Sequence, residues 1–157
     1  MRKIDDVDRA ILQALQQDAR LTAEQLGQIS GLSPTAALKR VKKLREDEVI
    51  LSEVAIISPR AVGQDLMASV LVTLNRDKNE NFEVFKEAVR AAPEVMQAYG
   101  VTGDADYLLI ISIESMDQYE TFKCAFFQDN EIVKDFKTMV MLDRVKMGMA
   151  IPIKTTA

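Results

Sequence analysis

Between Asp5 and Ile50 apolar residues return every three or four positions, the spacing of a buried helix face, and cap and breaker residues cut the run into three short helices. The first carries Val7, Ile11, Leu12 and Leu15 on one face and ends near Asp18-Ala19-Arg20. The second opens at Thr22, where Gln25 three residues on completes a capping box; it turns Leu26 and Ile29 inward and stops at Gly31. Ser33 then caps a third helix that runs to about Glu46. Pro34 takes its first position, where a missing N–H costs nothing, and Ala37, Val41 and Leu44 form its core stripe. Leu26-Gly27 and Gly31-Leu32 put small residues where two helices of a helix-turn-helix cross closely.

Past Ile50 the period changes. Val49-Ile50-Leu51 and Val54-Ala55-Ile56-Ile57 are β-rich and bracket Ser52-Glu53, which predicts a small hairpin or a strand leading out of the domain, and Ser58-Pro59-Arg60 with Gly63 reads as a connector. The second half then alternates: a strand Ala68–Leu74, a helix Asn81–Ala92 with Phe82, Phe85 and Val89 inward, a strand Val95–Thr102, a strand Tyr107–Ile113, a helix Met116–Gln128 and a last strand from about Phe136 to Met147. The order βαββαβ is the ferredoxin-like arrangement, an antiparallel sheet with both helices on one face. The fold class is therefore α+β, divided into residues 1–52 (helix-turn-helix), 53–63 (linker), 64–150 (sheet domain) and 151–157 (tail). Because Val70-Leu71-Val72 and Leu108-Leu109-Ile110-Ile111 are apolar on both faces, the second sheet face is expected to meet another subunit, giving at least a homodimer through residues 64–150.

Composition narrows the chemistry. With 48% hydrophobic and 28% charged residues the chain is globular throughout, and neither a bilayer-length apolar run nor a signal-like start is found, so the expected location is the cytoplasm. The single cysteine allows no internal disulfide. Zero histidines remove the commonest general base and transition-metal ligand, which argues against an enzyme, and no cofactor is called for. The eight methionines include Met139, Met141, Met147 and Met149, alternating along the last strand as adaptable filler, and Cys124, between Phe122 and Phe126, is expected to be buried and inert. The net charge of −4 hides an asymmetry: residues 1–52 hold nine Lys/Arg against eight Asp/Glu, and residues 53–157 hold eleven against sixteen. The N-terminal part is the one suited to phosphates.

The third helix displays Lys39, Arg40, Lys42, Lys43 and Arg45 around its polar side, with Thr35, Ala36 and Lys39 in the turns that meet base edges. The expected contacts with double-stranded DNA are Ser33, Thr35, Ala36, Lys39, Arg40, Lys42 and Lys43. A basic run by itself is more often a solvated helix face; the capped helix after a tight glycine turn favours the DNA reading here.

These segments resemble a known family. Ile4-Asp5-Asp6-Val7-Asp8-Arg9-Ala10-Ile11-Leu12, Leu21–Leu26, Gly31-Leu32-Ser33-Pro34-Thr35 and Lys39–Leu44 are similar to the leucine-responsive and asparagine regulators, the Lrp/AsnC or feast/famine group. Val101-Thr102-Gly103-Asp104-Ala105-Asp106-Tyr107 resembles the Gly-Asp-x-Asp-Tyr signature of its ligand domain, and Val145-Lys146 with Ile151-Pro152-Ile153 its closing segment. The resemblance implies a winged helix-turn-helix joined to a ligand-binding βαββαβ (RAM/ACT-like) domain that dimerises, often assembles to octamers, and senses an amino acid or related small metabolite between dimers. It implies an effector site at Tyr99, Gly100, Thr102, Gly103, Asp104 and Asp106: Asp104 or Asp106 for the ammonium, and the N–H groups of Gly100 and Gly103 with the Thr102 hydroxyl for the carboxylate. The bland alternative is a Gly-Asp turn in which the aspartates cap their own backbone.

Three departures from the family pattern carry expectations. Glu48 stands where relatives have glycine, so the exit from the third helix is expected to turn less sharply. Ala36-Ala37 trims the DNA-facing surface and the core. Met147-Gly148-Met149 replaces paired threonines, removing hydroxyls from the expected effector pocket and pointing to an unusual effector or a weak response. Two rivals to a sequence-specific regulator stand beside it: a non-specific architectural DNA-binding protein, and a tetrapyrrole (sirohaem) decarboxylase-like enzyme, whose histidines this chain lacks.

Overall fold

The structure is a computed structural model that describes residues 3–75, 77 and 80–154; the outermost residues of the expected 1–52 domain and 151–157 tail lie outside the described residues. It divides into two compact units, Met1–Ile56 with Lys146–Ala157, and Ile57–Val145.

The first unit is built on three helices. Helix α1 (Asp6–Leu15) begins in a reciprocal cap: the Asp5 carboxylate accepts the Asp8 N–H at 2.8 Å and the Asp8 carboxylate accepts the Asp5 N–H at 3.4 Å. Helix α2 (Ala23–Ser30) begins the same way on Thr22 and Gln25, as expected, and ends at Gly31, whose φ of 69° lies in the left-handed region that favours glycine. Helix α3 (Pro34–Glu46) is capped by Ser33, whose hydroxyl accepts the Ala36 N–H at 3.3 Å. Ile11, Leu26, Ala37, Val41 and Leu44 close over one core. Ile29, expected inward, is 47% exposed; two residues past Gly27 it lies about 200° around the helix from the face that meets α3.

The exit from α3 corrects one expectation. Glu48 adopts φ 54°, so the chain turns as sharply here as a glycine would allow. Both Val49 and Ile50 N–H groups donate to the Leu44 carbonyl, at 2.9 and 3.1 Å, which holds the turn shut. A side chain in that region costs on the order of 1 kcal/mol. Glu48→Gly is therefore expected to raise stability by about 1 kcal/mol, less what the freer unfolded glycine takes back; a lowered urea midpoint would show that the Glu48 side chain supports the turn.

The expected hairpin is a second correction. Residues 51–58 carry no strand, and Leu51, Val54 and Ile56 are 86%, 76% and 73% exposed. β-propensity expresses itself only where a second backbone is at hand, and among the described residues none pairs with this stretch, so no wing strand follows the helix-turn-helix there. Residues 151–154 instead fasten onto α1 and its C-cap. The Gln16 carboxamide accepts the Ile151 N–H at 2.7 Å and donates to the Ile151 carbonyl at 3.1 Å, and Arg9 Nη1 donates to the Lys154 carbonyl at 3.3 Å.

The second unit is the expected βαββαβ sheet. Strands β1 (Leu66–Leu74), β2 (Val95–Gly100), β3 (Tyr107–Ile113) and β4 (Val133–Val140) are ordered β2-β3-β1-β4, every neighbour antiparallel, with helices α4 (Glu80–Ala91) and α5 (Met116–Lys123) between them in sequence. Ala68, Val70, Val72 and Leu74 of β1 and Tyr107, Leu109, Ile111 and Ile113 of β3 are buried in one core with Phe85, Tyr119 and Phe127, while Leu71, Leu108 and Ile110 on the other face are half-buried. Strand β4 ends at Val140 rather than Met147. After the Met141 N–H donates to the Met67 carbonyl at 2.8 Å, β1 has almost no backbone left to pair with, and Leu142 and Val145 are 97% and 92% exposed. Of the four methionines expected to alternate along that strand, only Met139 lies in it. The helix expected over Met116–Gln128 widens after Lys123 into a π-turn, Cys124–Gln128, closed by the Asp129 N–H on the Cys124 carbonyl. Cys124 is exposed rather than buried, because it sits two residues from both Phe122 and Phe126, on the opposite side of the turn.

Candidate functional site

Two places carry the expected chemistry, one in each unit. In the first, α3 offers its outer stripe to solvent. With Ala37, Val41 and Leu44 buried, helical geometry sends Thr35, Lys39 and Lys42 the other way, and all three are exposed, as are Ser33 and Lys43. Ala36 is half-buried and lines a shallow open groove along the helix with Leu32, Lys39 and Lys43.

The cations of α3 are not equivalent. Among the described residues Lys39 has no acidic partner, whereas Lys42 and Lys43 both approach Glu46 at 3.9 Å, Lys43 also meets Asp47 at 2.7 Å, and Arg45 meets Glu53 at 2.7 Å. The Lys42–Glu46, Lys43–Glu46 and Arg45–Glu53 pairs lie at the surface, where such pairs contribute about 0–1 kcal/mol and an incoming phosphate can replace them, whereas the Asp47 side chain is only 21% exposed.

Arg40 differs. Its Nη1 bonds the Asp5 carboxylate and, at 3.1 Å, that of Asp8, whose side chain is wholly buried. The Arg40 hydrogen bond, followed by the Asp8 N–H, holds the Asp5 carboxyl below its usual range, and Asp5 and then Asp8 hold the guanidinium still more firmly protonated. Expected as a DNA contact, Arg40 is turned onto α1.

The second place is the β2–β3 turn. Here the residues expected around an effector come together in one loop, locked to the end of β1. The Asp106 N–H donates to the Val72 carbonyl at 2.9 Å, Asp106 Oδ2 accepts the Leu74 N–H at 2.8 Å, and the Thr73 hydroxyl donates to the Asp104 carbonyl at 3.2 Å. Gly103 has φ 116°, a conformation side chains avoid. The two aspartates therefore separate in role: Asp106 is tied to the β1 backbone, while the exposed Asp104 carboxylate has no partner among the described residues. Thr102 is exposed beside it, and Gly100 closes β2 opposite Tyr107. Tyr99 is 45% exposed and lies in register with Leu108, on the sheet face away from the helices; its hydroxyl donates to Gln97 Oε1 at 3.3 Å. Burial pushes the Tyr107 phenol up, so it stays a neutral packing group.

Sequence reasoning missed Asp5, Asp8 and Thr73. For Asp8 a signal existed: it stands three residues before Ile11 and four before Leu12, a carboxylate inside an apolar stripe, which demands a buried cation. Thr73 had none, because its contact depends on which strand end lies beside the loop.

Comparison with known proteins follows the same division. The AsnC-type helix-turn-helix domain matches residues 4–45, and the Lrp/AsnC ligand binding domain matches residues 67–151. An HTH-type transcriptional regulator of Sinorhizobium fredii is 45% identical over 97% of this chain and 90% of its own length. The leucine-responsive regulatory protein of Escherichia coli is 34% identical over 98% and 94%. Among solved structures, a transcriptional regulator of Neisseria meningitidis in complex with L-Met superposes with a TM-score of 0.90 at 31% identity, covering 96% of this chain and 97% of that one.

Proposed function

Since this chain belongs to the Lrp/AsnC family of transcriptional regulators and carries both of its domains in order, we propose that it binds specific DNA sites through the outer stripe of α3 and that an amino acid at the β2–β3 turn modulates the binding. The observation that carries the proposal is the pairing of a free cation with a free anion, each where its ligand requires it. Lys39 is exposed on the capped helix and, among the described residues, has no acidic partner. The Asp104 carboxylate is exposed and, among the described residues, without a partner, suited to an ammonium. Thr35 and Ala36 at the start of the helix are the base-reading positions, and Lys42 and Lys43 exchange weak surface pairs for phosphates.

One α3 binds weakly, because Glu46, Asp47 and Glu48 follow its basic run. Specific affinity then comes from two or more copies presented together by an assembly of the second unit, a homodimer or a larger oligomer in the cytoplasm. The half-buried Leu71, Leu108 and Ile110 on the open sheet face support the dimer.

The test is selection of sites from a random duplex library followed by binding titrations of the selected and a scrambled duplex. A specific regulator prefers the selected site by roughly 10³ or more, whereas a ratio near unity supports the architectural reading. Lys39→Ala is expected to reduce the slope of log K against log salt by about 0.9, one phosphate contact; an unchanged slope removes Lys39 from the interface. For the effector, a thermal-shift screen of the amino acids, L-methionine included, is expected to give a hit that Asp104→Ala abolishes without loss of basal DNA binding.

A further inference from the structure

We propose that Arg40 is a positioning residue: it fixes the azimuth of the recognition helix against α1 and makes no phosphate contact. The inference rests on the DNA reading of α3 given above and assigns Arg40 a role opposite to that of its basic neighbours. Three observations carry it. Arg40 is only 32% exposed at its side chain, whereas Lys42 and Lys43 are 77% and 55% exposed. One nitrogen, Nη1, serves two carboxylates, the cap residue Asp5 and the first-turn residue Asp8, so the tie reaches the N-terminal end of α1 and is shared with the hydrogen bonds that start that helix. And the Asp8 side chain is wholly buried, so swinging Arg40 out to a phosphate would break a hydrogen-bonded ion pair made to a carboxylate that water does not reach. The surface pairs of Lys42 and Arg45 impose no such condition.

The geometry also states what the tie is for. Ala37, Val41 and Leu44 hold α3 down on the core through apolar contacts, which are non-directional and so fix its roll less strictly than a hydrogen bond does. A hydrogen-bonded ion pair on the flank of the helix is directional and stops the roll. The roll decides which side chains face a base pair, so the tie acts on sequence discrimination more than on attraction to DNA.

The experiment uses the full chain and duplexes selected by the unmodified protein, with a scrambled duplex as the non-specific probe. Arg40→Gln, Asp8→Asn and the double variant are compared with Lys39→Gln, each checked for folding by circular dichroism. Arg40→Gln is expected to lose at least tenfold in affinity for the selected duplex, to keep its affinity for the scrambled one, and to leave the salt slope unchanged. The double variant, which removes both charges of the pair and can bridge by neutral amides, is expected to regain most of that loss, again with unchanged slope. Lys39→Gln lowers the slope by about 0.9. Should Arg40→Gln not fold, the double variant alone decides. A salt slope lowered as in Lys39→Gln, or equal losses on both duplexes, overturns the proposal. Failure of the unmodified protein to select any sequence would instead overturn the DNA reading on which it rests.

Discussion

Gly27→Val is expected to destabilise the DNA-reading unit by about 3 kcal/mol and to abolish its binding to a selected duplex. A Cβ at this position would stand 2.8 Å from the Leu32 carbonyl oxygen, 3.3 Å from the Pro34 nitrogen and 3.5 Å from the Ser33 carbonyl carbon. All three are backbone atoms, so no side chain can rotate away to make room. The contact is also fixed from the other direction, because the Leu32 N–H donates to the Gly27 carbonyl at 3.0 Å. Relief therefore requires moving the α2–α3 turn, and with it the Ser33 cap and the start of the helix that reads DNA. Alanine meets the same obstacle but recovers about 1 kcal/mol of helix propensity, so Gly27→Ala should fall between the two. Urea unfolding followed by circular dichroism, with binding measured on the same samples, checks the order glycine, alanine, valine. A valine variant with unchanged midpoint and affinity would mean that the helices do not cross here.

Phe85→Ala is expected to cost 3–5 kcal/mol in the second unit. Phe85 is 1% exposed, with its ring centroid 5.0 Å from that of Tyr107 and 6.1 Å from that of Phe126, so truncation opens a cavity between α4 and the sheet that neither neighbour can fill without leaving its own contacts. Tyr107 directly follows Asp106, whose carboxylate holds the Leu74 N–H, so the cavity lies one residue from the anchor of the β2–β3 turn proposed to hold the effector. The expected result is a large loss in the unfolding midpoint together with a loss of amino-acid response, while the core of Ile11, Leu26, Ala37, Val41 and Leu44 is untouched. A thermal-shift response that survives at full size in the folded variant would separate the loop from the core behind it.

What could be read in the sequence, and what could not, follows from the range of the interactions. The caps on Thr22 and Ser33 and the stop at Gly31 are local, set by residues within four positions of one another, and the structure has them where the pattern puts them. The end of β4 was not legible, because it is decided by where β1 begins, some seventy residues earlier in the chain. The same holds for Arg40. Its position on α3 marks it as basic and polar-facing, and only the approach of α1 reveals that its partner is a carboxylate of this chain. Glu48 failed for a different reason: a rule about residue preference was applied as if it were a rule about geometry, and the turn's hydrogen bonds to the Leu44 carbonyl outweighed the preference.

The clamp of Gln16 on the Ile151 backbone makes the first unit discontinuous in the chain: Met1–Ile56 and Lys146–Ala157 share it, and Ile57–Val145 lies between them. Topologically, the sensing unit is an insertion in the reading unit. During synthesis the three helices leave the ribosome first but wait for their last piece until the whole of the inserted unit has been translated. An interrupted or clipped product that still contains a complete helix-turn-helix is then a reader without its closing segment, which would limit how far a fragment could compete with the finished regulator for its sites.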